Sequence, residues 1–252
     1  MGVRIDRAPI VFSGGPMSEP TPAPTPPTTE VKLTSARVPG WLLKPMTCFS
    51  AQERMRYALT CMQIEKVKQT LIDKKPGIRI AATDGRALCL ADIALTASET
   101  GPQDFADFPT VMVDREDLSA LRTIDFLQFE KNEMRILRRH GNKSNAVYHH
   151  RYTLHTSHEG NFPKPADIVT QAINDKDIQT VFASPVLLEK AVKVNLAVSK
   201  QGRSWEGVVW RGSGDRARPF SSDLKIDCMD KVEPIYVSYI VRVVCCIMPM
   251  AA

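Results

Sequence analysis

No apolar run in this chain reaches the roughly 18 residues that a membrane-spanning helix requires, so no membrane anchor is expected. A secretory h-region is missing as well, because Val3-Arg4-Ile5-Asp6-Arg7 interleaves charge with apolar side chains. The six cysteines (Cys48, Cys61, Cys89, Cys228, Cys245, Cys246) show no CxxC spacing. Most sit among apolar neighbours and read as buried free thiols of a reducing compartment, so the cytoplasm is the expected location. Catalytic signatures are lacking too: there is no GxSxG, HExxH, phosphate loop or Rossmann fingerprint. Ser13-Gly14-Gly15-Pro16 lies in a proline-rich tail and is no phosphate cradle, and neither an enzyme nor a cofactor is expected. Neither sign of charge dominates: 33 Lys and Arg against 28 Asp and Glu leave +5, a mild lean toward polyanions that does not identify a nucleic-acid binder.

What the chain does contain is an ordinary globular composition, 43% hydrophobic and 24% charged, over 252 residues, enough for a good core and one or two domains. Residues 16–30 are rich in proline and threonine without apolar periodicity, so residues 1–37 are expected to form a disordered tail, with folding from Val38. Beyond it the pattern predicts an α+β fold, helices packed on antiparallel sheets. A short helix is expected at Trp41–Met46, then strands at Tyr57–Glu65, Ile78–Ala82, Ala87–Ile93 and Thr110–Val113. Asp114 should cap a short helix carrying Leu118 and Leu121. Further strands are expected at Phe126–Glu130, Met134–Arg138 and Ala146–His155. A second unit opens at Thr180-Val181-Phe182, continues into a helix with Leu187, Leu188, Ala191 and Val192, and ends in strands at Trp205–Trp210, Ser222–Cys228, Ile235–Ile240 and Val243–Met248.

Four segments carry a more specific signal. Ala82-Thr83-Asp84-Gly85-Arg86-Ala87-Leu88 is entered from the strand-like Ile78–Ala81, and Cys246-Ile247-Met248-Pro249-Met250 lies near the end of the chain. Arg56-Tyr57-Ala58-Leu59-Thr60-Cys61-Met62-Gln63-Ile64-Glu65 and Asn161-Phe162-Pro163 complete the set. In this order they resemble the bacterial replicative sliding clamp, the beta subunit of DNA polymerase III, with its ATDGHRL-like turn, VVMPM-like end, RYYLNGMLFE-type strand and FPDYRRVLP-like link. The resemblance implies a DNA clamp fold of two clamp-like domains, residues 38–170 and a shortened 171–252, in a form lacking the family's first domain. It implies a processivity factor that encircles duplex DNA without sequence preference. A hydrophobic groove would tether DNA polymerase and clamp-loader peptides, and a homo-oligomeric ring would close head to tail. A chain that keeps the groove without closing a ring is the alternative. In the family alignment Val237–Val244 falls on a helix, while the residues themselves also read as a strand of a compact domain.

Carried over residue by residue, the resemblance implies a peptide-binding groove at Leu59, Thr83, Gly85, Arg86, Leu88, Pro163, Ile168, Cys246 and Met248. Ala87 stands where the family has Arg, and Lys164-Pro165-Ala166-Asp167 departs from its aromatic and basic residues. The bland reading is a set of core residues at a domain junction. A DNA-facing surface is expected at Arg115, Arg122, Lys190, Lys193, Lys200 and Arg203, against the plainer reading of a solvated helix face. All five histidines (His140, His149, His150, His155, His158) fall in one segment, but an extended strand converges three ligands poorly, so a polar outer strand is favoured and no metal site is expected.

Overall fold

The structure, a computed structural model, describes residues 31–32, 36–52, 57–96, 103–130, 133–140, 143–153, 162–174, 184–212, 219–232 and 235–248. In chain order the elements are β1 (Val31–Lys32), β2 (Ala36–Pro39), α1 (Gly40–Met46), α2 (Tyr57–Thr60), β3 (Cys61–Val67), β4 (Gly77–Thr83), β5 (Ala87–Leu95), β6 (Gln103–Asp104), β7 (Val111–Asp114), α3 (Arg115–Ser119), β8 (Phe126–Glu130), β9 (Glu133–His140) and β10 (Lys143–Thr153). They continue with α4 (Pro165–Asn174), α5 (Pro185–Ser199), β11 (Ser204–Arg211), β12 (Phe220–Val232) and β13 (Ile235–Ile247).

Seven strands form one antiparallel sheet in the order β11-β12-β13-β5-β4-β3-β7, and four form another in the order β10-β9-β8-β2. β1 and β6 make a short parallel pair. The central strand β5 shows how the layers are arranged. Every residue from Ala87 to Leu95 is buried, because each face of the strand has its own cover. Ala87, Cys89, Ala91 and Ile93 point into the main core, which they share with Leu42, Leu43 and Met46 of α1 and with Ala191 and Val194 of α5. Leu88 and Leu90 point the other way, where Val169 and Ala172 of α4 meet them beside Val244 and Cys246. A strand covered on both faces has no solvent side to keep polar, which is why its sequence reads as one apolar run. The four-stranded sheet joins the main core through Phe129, whose ring stacks on Phe108 at 4.7 Å.

The fold is built of helices and antiparallel sheets, as expected, with several differences in detail. Tyr57–Thr60 is a helical turn and not the start of a strand. The strand begins at Cys61, where partners become available: Cys61 opposite Asp114 and Met62 opposite Ala82. Val237–Val244 is strand throughout, paired on one side with β12 and, from Tyr239 onward, on the other with β5, so a helix there is excluded. The two strands expected at 235–240 and 243–248 are one strand of 13 residues. Pairing also starts ahead of Val38, at Ala36 in β2 and at Val31 in β1, and residues 1–30 lie outside the described residues. The seven-stranded sheet draws strands from both sides of residue 170, which itself falls inside α4. Asp114 caps α3 as expected, accepting the Glu116 N–H at 2.8 Å. The cysteines are free, five of them buried and Cys48 partly so.

Gly77 opens β4 at a point where the chain has no room for a side chain. A Cβ there would lie 2.2 Å from the Ile93 carbonyl oxygen and 2.6 Å from Thr70 Cγ2. Gly77→Ala is therefore expected to destabilise the fold by about 2–3 kcal/mol, through displacement of the β4–β5 pairing. Equilibrium urea unfolding measures it, and a midpoint unchanged from wild type would contradict the close approach.

Candidate peptide-binding site

The turn between β4 and β5 is built by two side chains acting on their own backbone. Asp84 Oδ1 accepts the N–H groups of Arg86 and Ala87, each at 2.8 Å. The Thr83 hydroxyl donates to the Ala87 carbonyl at 2.7 Å and accepts the Gly85 N–H at 3.1 Å. Gly85 holds φ at 87°, a conformation that glycine takes without the Cβ strain other residues pay. Thr-Asp-Gly is thus a self-bonded reversal, and it leaves Gly85 and Arg86 exposed at the sheet end.

β13 arrives alongside. Cys246 stands opposite Leu88 and Ile247 opposite Ala87, and the ladder closes with the Met248 N–H donating to the Arg86 carbonyl at 3.0 Å. The two motifs, far apart in sequence, are neighbouring strands. Met248 remains 43% exposed beside the turn, whereas Leu88 and Cys246 are buried under α4 with Ile168 packed against them. Burial pushes the Cys246 thiol up, so it behaves as a small apolar neighbour and not as a nucleophile. Leu59 is half-buried in α2, which touches β4 at the same sheet end, and its carbonyl accepts the Ala51 N–H at 2.8 Å. Pro163 is half-buried two residues before α4 begins. Thr83, Gly85, Arg86, Leu88, Ile168, Cys246 and Met248 therefore cluster at the turn; Gly85, Arg86 and Met248 are exposed, and Leu88 and Cys246 are covered by α4. The remaining two, Leu59 and Pro163, approach from adjoining elements.

The α4 helix went unanticipated, since its residues read as a link. The signal was present: Ile168, Val169, Ala172 and Ile173 repeat at helical spacing behind Pro165, a residue suited to a first helical turn.

The expected basic surface is more occupied than its sequence implies. α3 and α5 both touch α1, and of the six residues Arg115 lies on α3 and Lys190 and Lys193 on α5. Arg122 binds Asp125 through its guanidinium at 3.0 Å, Lys193 pairs with Glu189 at 2.7 Å, and Lys190 pairs with Asp84 at 2.7 Å. Arg115 lines a cleft of about 610 Å³ in company with Asp114 and Glu116. Lys200 and Arg203 are exposed. The outward face of α5 also carries Val186, Val192 and Leu196, at 63%, 49% and 55% exposure.

On the face of the sheet that α4 covers, a row of charges crosses five strands. Arg79 binds Asp92, Arg242 binds Asp223, and Arg211 binds Asp223 from the far side. The Leu71 N–H and carbonyl are held by Asp92 and Arg242. Burial works against the charge of Asp223, yet Arg242 and Arg211 hold its carboxyl below the usual carboxylate range. His140 and His150 sit on paired strands of the four-stranded sheet, while His155 and His158 lie outside the described residues. Among the described residues no group of three or more His, Cys, Asp or Glu is placed to hold a metal, and no helix is long and apolar enough to cross a membrane.

No protein-family model matches the chain, and no curated protein sequence matches it either. Among solved structures it resembles the C. crescentus beta sliding clamp crystallised with PEG, at 16% identity and a TM-score of 0.37, over 88% of this chain and 53% of that one. A second similar structure is the DNA polymerase sliding clamp from Caulobacter crescentus, at 18% identity and a TM-score of 0.35, over 83% of this chain and 50% of that one. The chain thus spans about half the length of these proteins.

Proposed function

We propose that this chain is a clamp-like, non-catalytic DNA replication factor of the cytoplasm, which recruits polymerase and clamp-loader peptides through the groove at the Asp84–Arg86 turn. In the fuller form of this reading it encircles duplex DNA as a homo-oligomeric ring and slides on weak electrostatic contacts. The observation that carries the reading is the backbone bond between Arg86 and Met248. Two motifs that resemble the walls of one groove in the clamp family are neighbours in space, although most of the chain separates them.

The chemistry suits recruitment. Met248 offers a flexible, polarizable surface, Gly85 lets a partner backbone come close, and each partner Leu or Phe side chain buried there contributes about 1.5–3 kcal/mol. Titration of a bacterial polymerase clamp-binding peptide tests it. Met248→Ala, at an exposed position, is expected to weaken binding at least about tenfold with little loss of stability. Equal affinity for wild type and variant would remove the groove.

The apolar outward face of α5 favours the second reading, a clamp-like interaction protein that keeps the groove without closing a ring. Val186, Val192 and Leu196 are poor lining for a channel that holds DNA by charge. Sedimentation separates the two readings: a monomer at micromolar concentration favours the interaction protein, a closed oligomer the ring.

A further inference from the structure

Lys190 was expected to reach toward DNA, but its ammonium is engaged elsewhere. Nζ donates to Asp84 Oδ2 at 2.7 Å, with the lysine side chain 23% exposed and the carboxylate 17% exposed. The other oxygen of that carboxylate, Oδ1, accepts the N–H groups of Arg86 and Ala87. The Ala87 N–H and the Arg86 carbonyl belong to one peptide group, which is planar and trans, so the two point in opposite directions. On one side that group is bonded to Asp84; on the other it receives the Met248 N–H. Fixing the carboxylate therefore fixes the peptide plane, and the plane fixes where β13 ends.

We propose that Lys190 is a positioning residue for the groove: from α5 it locks the Asp84 carboxylate, which sets the Arg86–Ala87 peptide plane and so the placement of Met248. The inference rests on the groove reading for its meaning, while the relay itself is a property of the turn. Its electrostatics agree with the geometry. Burial works against the charged form of Asp84, but the Lys190 ammonium and the two backbone donors outweigh it and hold the carboxyl below its ordinary value. An ion pair this sheltered is screened far less than an exposed one, such as Lys193 with Glu189 on the same helix. Arg86 and Met248, the exposed rim of the groove, are the residues at the far end of the relay.

The test uses Lys190→Met, which keeps much of the apolar stem and removes the charge, Lys190→Arg, which keeps the charge, and Asp84→Asn, which keeps an Oδ1 acceptor. Amide hydrogen exchange reads the relay directly. Lys190→Met is expected to speed exchange of the Ala87 and Met248 amides about tenfold, with Val194 and Val198 of α5 unchanged, and Lys190→Arg is expected to restore protection. Asp84→Asn should lie between them. The clamp-binding peptide is expected to bind Lys190→Met several-fold more weakly than wild type. Unchanged exchange at Ala87 and Met248 overturns the relay, and faster exchange with undiminished peptide affinity overturns its role in recognition. A peptide that binds neither wild type nor Met248→Ala overturns the groove reading, while the exchange result still decides the relay.

Discussion

Replacing Arg79 by methionine is expected to destabilise the protein by about 3–5 kcal/mol, among the largest effects available to a single change outside the apolar core. The Arg79 guanidinium grips Asp92 with two parallel bonds, Nε to Oδ1 at 2.8 Å and Nη2 to Oδ2 at 2.9 Å. The Asp92 side chain has no exposure at all, and that of Arg79 has 10%. Burial works against the charged guanidinium, but Asp92 and, further off, Glu65 keep it charged. With Arg79 gone, the carboxylate keeps the Leu71 N–H as a donor, while the neighbouring Arg242 is committed to Asp223 and the Leu71 carbonyl. A buried carboxylate left with so little compensation is what makes removal of one partner costly. Urea unfolding measures the loss as a fall in midpoint at constant slope. The double variant Arg79→Met, Asp92→Leu is expected to regain most of it, because the cost lies in the orphaned charge and not in the absence of a pair. A single-variant loss below about 1 kcal/mol would place the pair with ordinary surface ion pairs and contradict its burial.

Asp92 also shows what the sequence could and could not reveal. In the run Ala87 to Ile93 it is the one charged residue, and periodicity assigns the strand in spite of it. Its partners come from β4 and the loop at Leu71, which sequence spacing does not place together. The β4–turn–β5 hairpin was legible because its determinants are local: apolar runs on either side, and Asp-Gly between them. The end of β13 was legible only through resemblance, since no property of Cys246-Ile247-Met248 alone points to Leu88. Val237–Val244 was ambiguous. The family alignment puts a helix there, whereas burial on alternate residues, at Tyr239, Val241 and Val243, is the period of a strand flanked on both sides by other strands. The resemblance brought the two motifs together, as the Arg86–Met248 backbone bond does, but nothing in the sequence pointed to the Lys190–Asp84 ion pair. Lys190 looked like any lysine on a helix, and only the fold brings it to Asp84.

Leu90→Ala is expected to cost about 2–5 kcal/mol and to release α4 before the rest of the molecule. Leu90 is fully buried on the face of β5 that carries Leu88, and there it meets a small cluster distinct from the main core. That cluster is the seam on which Val169 and Ala172 of α4 are seated, between Leu90 on one strand and Val244 on the next. α4 has ten residues, too few to persist on their own in water, so its helicity depends on this contact. Removing the Leu90 side chain opens a cavity under the helix, and the sheet, held by its own ladders and by the core on its other face, has less to lose. Hydrogen exchange should show the amides of α4 losing protection several-fold more than those of α5, which packs on the opposite face. Because Ile168 and the floor at Leu88 and Cys246 belong to the same seam, affinity for the clamp-binding peptide should fall in step with α4 protection. Uniform loss of protection across α4 and α5 would mean that the two faces of the sheet share one cooperative unit, and that α4 is no separate wall of the groove.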